Sequence, residues 1–195
     1  MLHVLFQIWG GSFYLLNKIF FSRAERSHGK AKATWRTWSW VMYLLGLPPW
    51  VIIFSMERNW MAASVEASGA AAMVLGLIIS IRGIKKAPVW LDLIALFGAI
   101  GGMGYSFYDL EGFNSLSQWL EIGVVIGFLS GTYLLAKQKA QGYLFLILMN
   151  VSNALLMFTQ GYHWLAAQQM VSLVFVADAY LMQSRSVPLA PAVEA

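Results

Sequence analysis

The chain has 195 residues, of which 59% are hydrophobic and only 11% are charged, with a net charge of +4. An average soluble domain is about 25% charged, and a globule of this size cannot bury so much apolar surface. The apolar content also excludes intrinsic disorder, and the lack of cysteine excludes disulfide scaffolds and thiol chemistry. Composition therefore predicts an all-α polytopic membrane protein whose partner is the lipid bilayer and not a nucleic acid.

Seven stretches are apolar and long enough to form transmembrane helices, each of which needs about 20 residues. The first five predicted spans are residues 2–21, 38–56, 61–81, 89–108 and 116–136. The segment between Lys139 and Asp178 carries no formal charge and is too long for one span. Because residues 160–163 contain turn-forming glycine and polar side chains, we divide this segment into a sixth and a seventh helix.

The basic residues predict the orientation of these spans. Of the 13 lysines and arginines, all but Arg58 fall on one side: six in or beside the first loop, three in the third, two in the fifth and one after the last helix. Basic loops stay in the cytoplasm. We therefore expect the N-terminus outside, the C-terminus inside and seven spans, as in a multi-pass protein of the bacterial inner membrane.

Two groups of three helices share sequence markers in the same order. Tyr-Leu-Leu-x-Lys ends the first and fifth helices at 14–18 and 133–137, and Trp-x-Ala-Ala opens the third and seventh at 60–63 and 164–167. Chance is the alternative, because both words are common in membrane helices, but such repeats are typical of transporters. The predicted 3+1+3 organisation is a first three-helix bundle with a basic cytoplasmic loop (1–86), a linker helix (87–112), a second three-helix bundle (113–185) and a disordered tail (186–195).

Amide side chains form a stripe on the predicted sixth helix and continue on the seventh. Asn150, Asn153 and Gln160 share one helical face, and either Gln168 or Gln169 turns inward. Amides both donate and accept hydrogen bonds, which suits a hydroxyl-rich ligand such as a ribose. Asn and Gln also join helices in membranes, and for Asn153 alone that structural role is the better interpretation. The whole stripe favours a path for a ligand.

Trp50 and Glu121 are two further candidates for ligand binding. Trp50 follows Pro48 and Pro49 in the middle of the second helix, and we expect this pair to remove backbone donors and kink the helix. Broken helices are common at transporter binding sites. An aromatic ring there is expected to stack on a planar ligand, with packing against the third helix as the alternative. Glu121 lies near the outer end of the fifth helix, where it either binds a substrate or cation or is hydrated at the interface.

Four acidic residues lie in or near the predicted spans: Glu66, Asp92, Glu121 and Asp178. For two of them, Asp92 and Asp178, we expect structural ion pairs. Asp92 is expected to pair with Lys85 or Lys86, and Asp178 with Arg185. The three histidines lack metal-ligand spacing, and the chain has no P-loop or nucleophile elbow, so neither a metal, a cofactor nor an enzymatic activity is predicted. Gly101-Gly102 indicates a helix-packing surface.

Residues 119–180 carry a resemblance to a known family. They contain an acidic residue that opens helix five, a basic residue that closes it, an asparagine in helix six, a Gln-Gly pair and a polar residue early in helix seven: Glu121, Lys137, Asn150, Gln160-Gly161 and Gln168. This pattern resembles the nicotinamide riboside transporter (PnuC) family of bacterial vitamin transporters, which is related in architecture to the SWEET sugar transporters. The family's Trp-x-x-Trp pair falls here on Tyr143 and Leu146, and the first half of the chain matches poorly.

The resemblance implies a facilitator for a small vitamin-like or nucleoside-like solute, which a cytosolic kinase then traps by phosphorylation. Nicotinamide riboside is the substrate that the family implies, with thiamine or another nucleoside as alternatives because the tryptophan pair is lost. The expected substrate-binding residues are Asn150, Asn153, Gln160 and Gln168 for polar groups, Trp50 and Tyr143 for stacking, and Glu121 at the outer entry. A homo-oligomer is compatible with the sequence. The rival hypothesis is a sensor or accessory protein that keeps this fold without transporting.

Overall fold

A computed structural model describes residues 2–109 and 115–185, which form seven α-helices and a short 3-10 helix at Ile84–Lys86. The α-helices are α1 Leu2–Arg26, α2 Gly29–Met56, α3 Trp60–Arg82, α4 Val89–Asp109, α5 Leu116–Ala136, α6 Gln141–Thr159 and α7 His163–Arg185. Six of them, α2 to α7, are long and apolar enough to cross a membrane by length and composition. In its described part the chain is an all-α, multi-pass membrane protein. The predicted tail 186–195 and the predicted boundary at 112 lie outside the described residues.

The helix boundaries follow the hydropathy pattern closely in the second half of the chain. The predicted fifth span, residues 116–136, coincides with α5. The break predicted at 160–163 is confirmed, because α6 ends at Thr159 and α7 begins at His163. Gly161, between them, has a φ of +81°, a left-handed conformation that glycine adopts without steric strain.

The basic segment 22–36 is helical except for two residues, so the loop is much shorter than predicted, and its cytoplasmic location stays a prediction. α1 and α2 extend through this segment and leave only two non-helical residues between them. Hydropathy falls where the charged residues begin, but the helices continue because these charges pair across the α1–α2 interface. Arg36 Nη2 lies 2.5 Å from Glu25 Oε1, and Lys32 Nζ lies 2.7 Å from Glu25 Oε2.

Pro48 and Pro49 lie inside α2, which continues without interruption to Met56. The prolines therefore do not interrupt the helix, and the predicted kink stays a prediction. Transmembrane helices tolerate proline where neighbouring helices pack around the freed backbone groups. α2 packs closely against α1 at this level, since a Cβ added to Gly46 would overlap the ring of Tyr14.

Six of the helices form a closed ring. Consecutive helices are in contact within α1–α2–α3 and within α5–α6–α7, and contacts of α3 with α5 and of α7 with α1 close the ring. α4 packs outside the ring against α3 and α5, and it exposes large apolar side chains such as Phe97 and Ile100. The packing surface predicted at Gly101-Gly102 is confirmed for Gly102 only. Gly102 lies against Ser68 of α3, whereas a Cβ on Gly101 would meet nothing within 4 Å.

The two ends of the ring differ in charge. We call the end with the α1–α2, α3–α4 and α5–α6 connections the basic end, and the opposite end the neutral end. Toward the basic end, four almost fully buried rings fill the interior and are called the aromatic layer: Phe21, Trp40, Tyr43 and Tyr143. Phe21 packs edge-on against Trp40 and Tyr143, with ring centroids 5.1 and 5.9 Å apart. The aromatic layer thereby joins α1, α2 and α6.

Two acidic residues near the basic end have partners other than those expected from the sequence. Asp92, at the start of α4, pairs with Lys137 at 2.5 Å and not with a lysine of Ile84–Lys86. Asp178 pairs with Arg26 of α1 and not with the arginine that ends its own helix. In both cases the partner is on a helix that is adjacent in the fold, because α4 contacts α5 and α7 contacts α1.

Candidate ligand-binding site

A cavity of about 750 Å³ lies inside the ring, on the side of the neutral end. Its mouth consists of residues in or next to the neutral-end connections: Glu57, Asn59, Asp109, Gln160 and Tyr162. Its floor consists of side chains from four helices: Tyr14, Lys18, Glu66, Phe128 and Met149. Tyr43 of the aromatic layer packs against both Tyr14 and Phe128, so the aromatic layer lies next to the floor. The volume is in the range of small-molecule sites, about 300–1,000 Å³.

Five of the seven residues that the sequence suggests for substrate binding line the cavity. They are Trp50, Glu121, Asn153, Gln160 and Gln168. These side chains come from four different helices and from the α6–α7 connection, and the ring brings them around one space. Their binding roles stay predictions.

The other two candidates, Asn150 and Tyr143, do not line the cavity. Asn150 is fully buried, and its Nδ2 donates a hydrogen bond of 2.6 Å to the carbonyl oxygen of Leu146. Tyr143 is also fully buried, and its hydroxyl donates to Glu25 Oε1 at 3.0 Å. The amide stripe continues along α6 past Met149, where the cavity ends and the packed interior begins.

Both glutamines near the start of α7 reach the cavity, so the choice between them that the sequence left open does not arise. Gln168 also has a structural contact, because its Nε2 donates to the carbonyl oxygen of Gly11 at 2.6 Å. This bond joins α7 to α1 and uses one amide donor. Gln168 thus lines the cavity while its amide is held against α1, and Gln169 lines the cavity beside it.

Trp50 contributes an aromatic wall above the floor. Its ring stacks on Phe54 with centroids 5.8 Å apart, and it lies 6.4 Å from the ring of Tyr14. Gly10 of α1 makes room for the indole, because a Cβ there would come within 2.6 Å of Trp50 Nε1. Trp50 Nε1 is buried and has no hydrogen-bond acceptor among the described residues.

The sequence assigns no binding role to three residues of the floor, which are Tyr14, Lys18 and Glu66. Tyr14 donates a hydrogen bond of 2.5 Å to Glu66 Oε2. Lys18 is only 2% exposed, and its Nζ lies 4.3 Å from the centroid of the Tyr43 ring. The signal was present, because Lys18 and Glu66 both fall inside predicted spans, where charged residues are rare and functional. Lys18 was instead grouped with the basic residues of the first loop.

The charges around the cavity are mainly negative. Four carboxylates and one ammonium group line it: Glu57, Glu66, Asp109, Glu121 and Lys18. No group of three or more His, Asp or Glu side chains that could hold a metal ion occurs within residues 2–109 and 115–185. At the mouth, Glu57 lies 2.6 Å from His3 Nε2, and Glu121 accepts a hydrogen bond of 3.2 Å from Ser117.

The cavity is therefore a space with mainly apolar and aromatic walls that also carry amides and more acidic than basic groups, inside a ring of apolar helices. Comparison with known protein families, with curated proteins and with solved structures gave no match to this chain.

Proposed function

We propose that the chain is a membrane transporter for a small vitamin-like or nucleoside-like solute. The cavity carries this proposal, because it lies within the ring of helices, reaches the neutral end and is separated from the basic end by the aromatic layer. A site that is accessible from one side only is the arrangement expected for one state of an alternating-access cycle.

The pattern of helix contacts supports the 3+1+3 organisation. Exchanging α1–α2–α3 with α5–α6–α7 maps every contact of the ring onto another one, including α3 with α5 onto α7 with α1. α4 lies outside this pattern, as a linker between two equivalent units would. In the proposed cycle the two three-helix units rock against each other around the cavity, and the mouth closes as the basic end opens.

We assign the neutral end to the outside of a bacterial inner membrane and the basic end to the cytoplasm. The natural chain contains no cysteine, so single cysteines can report the orientation without a modified background. Arg58→Cys at the neutral end is expected to react with a membrane-impermeant maleimide in intact cells. Lys85→Cys at the basic end is expected to react only after permeabilisation. Labelling of Lys85→Cys in intact cells would contradict this orientation.

The proposed solute is neutral or carries a positive charge. Four carboxylates against one ammonium group make the lining acidic, and the amides and stacked rings offer contacts for hydroxyl groups and a planar ring. Nicotinamide riboside, the substrate that the resemblance implies, is the first candidate of this kind, with thiamine and other nucleosides next. No energy-coupling device is part of this proposal, and a cytosolic kinase would trap the solute.

Uptake into liposomes tests the function. The purified protein is expected to accelerate the entry of at least one radiolabelled solute from a panel of vitamins and nucleosides. Asn153→Leu is expected to reduce that rate about tenfold, the factor that corresponds to about 1.4 kcal/mol of lost binding free energy. Its amide lines the cavity, and leucine there leaves a polar group of the solute without a partner.

The matched control replaces an amide by leucine outside the cavity. Gln183 lies near the end of α7, at the basic end, where its Nε2 donates to the carbonyl oxygen of Gln138. Gln183→Leu is expected to transport at the wild-type rate. If wild-type liposomes take up no solute of the panel, the proposed transport of vitamins and nucleosides is overturned, and a sensor or accessory protein becomes the alternative. If both variants slow uptake equally, Asn153 has no specific role.

A further inference from the structure

The floor of the cavity contains a buried ammonium group that lacks an acceptor. Lys18 is only 2% exposed, and it lines the cavity. Its Nζ has no hydrogen-bond partner in the described part of the chain, so the nearby carboxylate of Glu66 does not neutralise it directly. Contact with the face of Tyr43, at 4.3 Å, is the attraction that the protein supplies.

That contact does not compensate for the burial of a charge. A cation–π interaction contributes about 0.5–2 kcal/mol, whereas an unpaired buried ion costs several kcal/mol. A carboxylate in the cavity would complete the site with a charge-assisted hydrogen bond to Lys18 Nζ. Trp50 Nε1 also lacks an acceptor, but it is buried against Gly10 of α1. Lys18 Nζ is therefore the unused donor on which the floor can bind a carboxylate.

The same space offers surroundings for a cation. Glu66 receives one hydrogen bond, from Tyr14 to Oε2, and its carboxylate also lines the cavity. The stacked rings of Trp50 and Phe54 stand above it, and tryptophan is the aromatic side chain that attracts cations most strongly. Tyr14 lies between the surroundings of Lys18 and those of the proposed cation. The centroid of its ring is 4.9 Å from that of Tyr43 and 6.4 Å from that of Trp50.

We propose that the floor binds a small zwitterion, with its carboxylate on Lys18 Nζ and its cationic nitrogen between Glu66 and the Trp50 ring. The inference rests on the proposed transport function and names the chemical class of the solute. A simple anion would be repelled by the carboxylates of the mouth, and a simple cation by Lys18. A zwitterion, such as an amino acid or a betaine, satisfies both charges of the floor at once. Nicotinamide riboside, the first candidate named above, is a cation without a carboxylate and would leave Lys18 unpaired, so this inference places the zwitterions ahead of it.

Matched pairs of probes separate these cases. The zwitterions are the neutral L-amino acids and glycine betaine, and their counterparts without a carboxylate are the amino acid methyl esters and choline. Thermal unfolding of the purified protein measures binding, and liposome uptake measures transport. We expect at least one zwitterion to raise the melting temperature and to be transported at least tenfold faster than its counterpart. Equal effects of a zwitterion and its counterpart, or no effect of any zwitterion, would overturn the inference.

Variants of Lys18 test the assignment of the residue. Lys18→Met removes an unpaired ammonium group, so the ligand-free variant is expected to melt at or above the wild-type temperature while losing at least tenfold in affinity for the zwitterion. Lys18→Arg keeps the charge and should retain part of that affinity. If Lys18 were only a structural partner of Glu66, Lys18→Met would melt clearly below the wild type and no zwitterion would stabilise either protein.

The failure of this inference can be distinguished from the failure of the proposed function. Transport of vitamins or nucleosides without any response to zwitterions would leave the transporter and remove the zwitterion site. A zwitterion that stabilises the wild type through Lys18 but is never transported would leave the site and remove the transport function.

Discussion

Replacing Glu25 with alanine is expected to lower the free energy of unfolding by about 3–5 kcal/mol, the range for removing one partner of a buried ion pair. The Glu25 side chain is fully buried at the basic end. Its Oε1 accepts hydrogen bonds from Arg36 and from the hydroxyl of Tyr143, and Lys32 Nζ lies 2.7 Å from Oε2. Arg36 is itself 8% exposed, so alanine at position 25 leaves a buried guanidinium without a counter-charge.

The nine tryptophans provide a fluorescence signal for measuring this effect by titration of SDS into detergent micelles. Glu57→Ala is the control, because Glu57 pairs with His3 at the surface, where side chains that are 39% and 47% exposed contribute about 0–1 kcal/mol. The double variant Glu25→Leu/Arg36→Met removes both buried charges and should recover most of the loss. Equal losses for Glu25→Ala and Glu57→Ala would contradict the prediction.

Glu25 also connects stability to the proposed transport cycle. Its bond to Tyr143 joins α1 to α6, and the pair of Arg26 with Asp178 joins α1 to α7. Both bonds cross between the two proposed three-helix units at the basic end. A rocking motion that opens this end has to separate them, so they hold the protein in the state whose cavity reaches the neutral end.

Much of the fold follows from hydropathy alone, because the bilayer requires each span to be long and apolar. α5 and the break before α7 were located from the sequence for this reason. The ion-pair partners of the charged residues could not be located in this way, because they depend on which helices become neighbours in the fold. Asp92 pairs with Lys137, which directly follows α5 and is far away in the chain, although two lysines precede Asp92 by only a few residues.

The candidate site, like the fold, could be predicted from the sequence only in part. Rare polar side chains pointed to the amides of α6 and α7, and Asn153 does line the cavity. The sequence does not contain the depth at which the cavity ends, so Asn150, one helical turn away, was given the same role although it is packed and bonded to its own helix. Lys18 was overlooked because it is close in sequence to a basic cluster, whereas in space it belongs to the floor.

A methyl group at Gly127 is the second change from which we expect a large effect. Gly123, Gly127 and Gly131 recur every four residues on α5, a pattern of small residues that lets two membrane helices approach closely. A Cβ at Gly127 would lie 2.6 Å from the backbone nitrogen of Met149 and 2.6 Å from the carbonyl oxygen of Phe145, both on α6. Backbone atoms cannot turn aside as a flexible side chain can, so the two helices must move apart.

Gly127→Ala is therefore expected to lower the free energy of unfolding by about 1–3 kcal/mol or more, the range for overpacking a filled interior. Helix propensity acts in the opposite direction to this overpacking, because it favours alanine over glycine by about 1 kcal/mol. Gly101→Ala isolates that propensity, because an added Cβ there meets no atom within 4 Å, and it should be neutral or slightly stabilising. The SDS titration measures both variants. A Gly127→Ala protein as stable as Gly101→Ala would show that α5 and α6 are not packed backbone against backbone at this position.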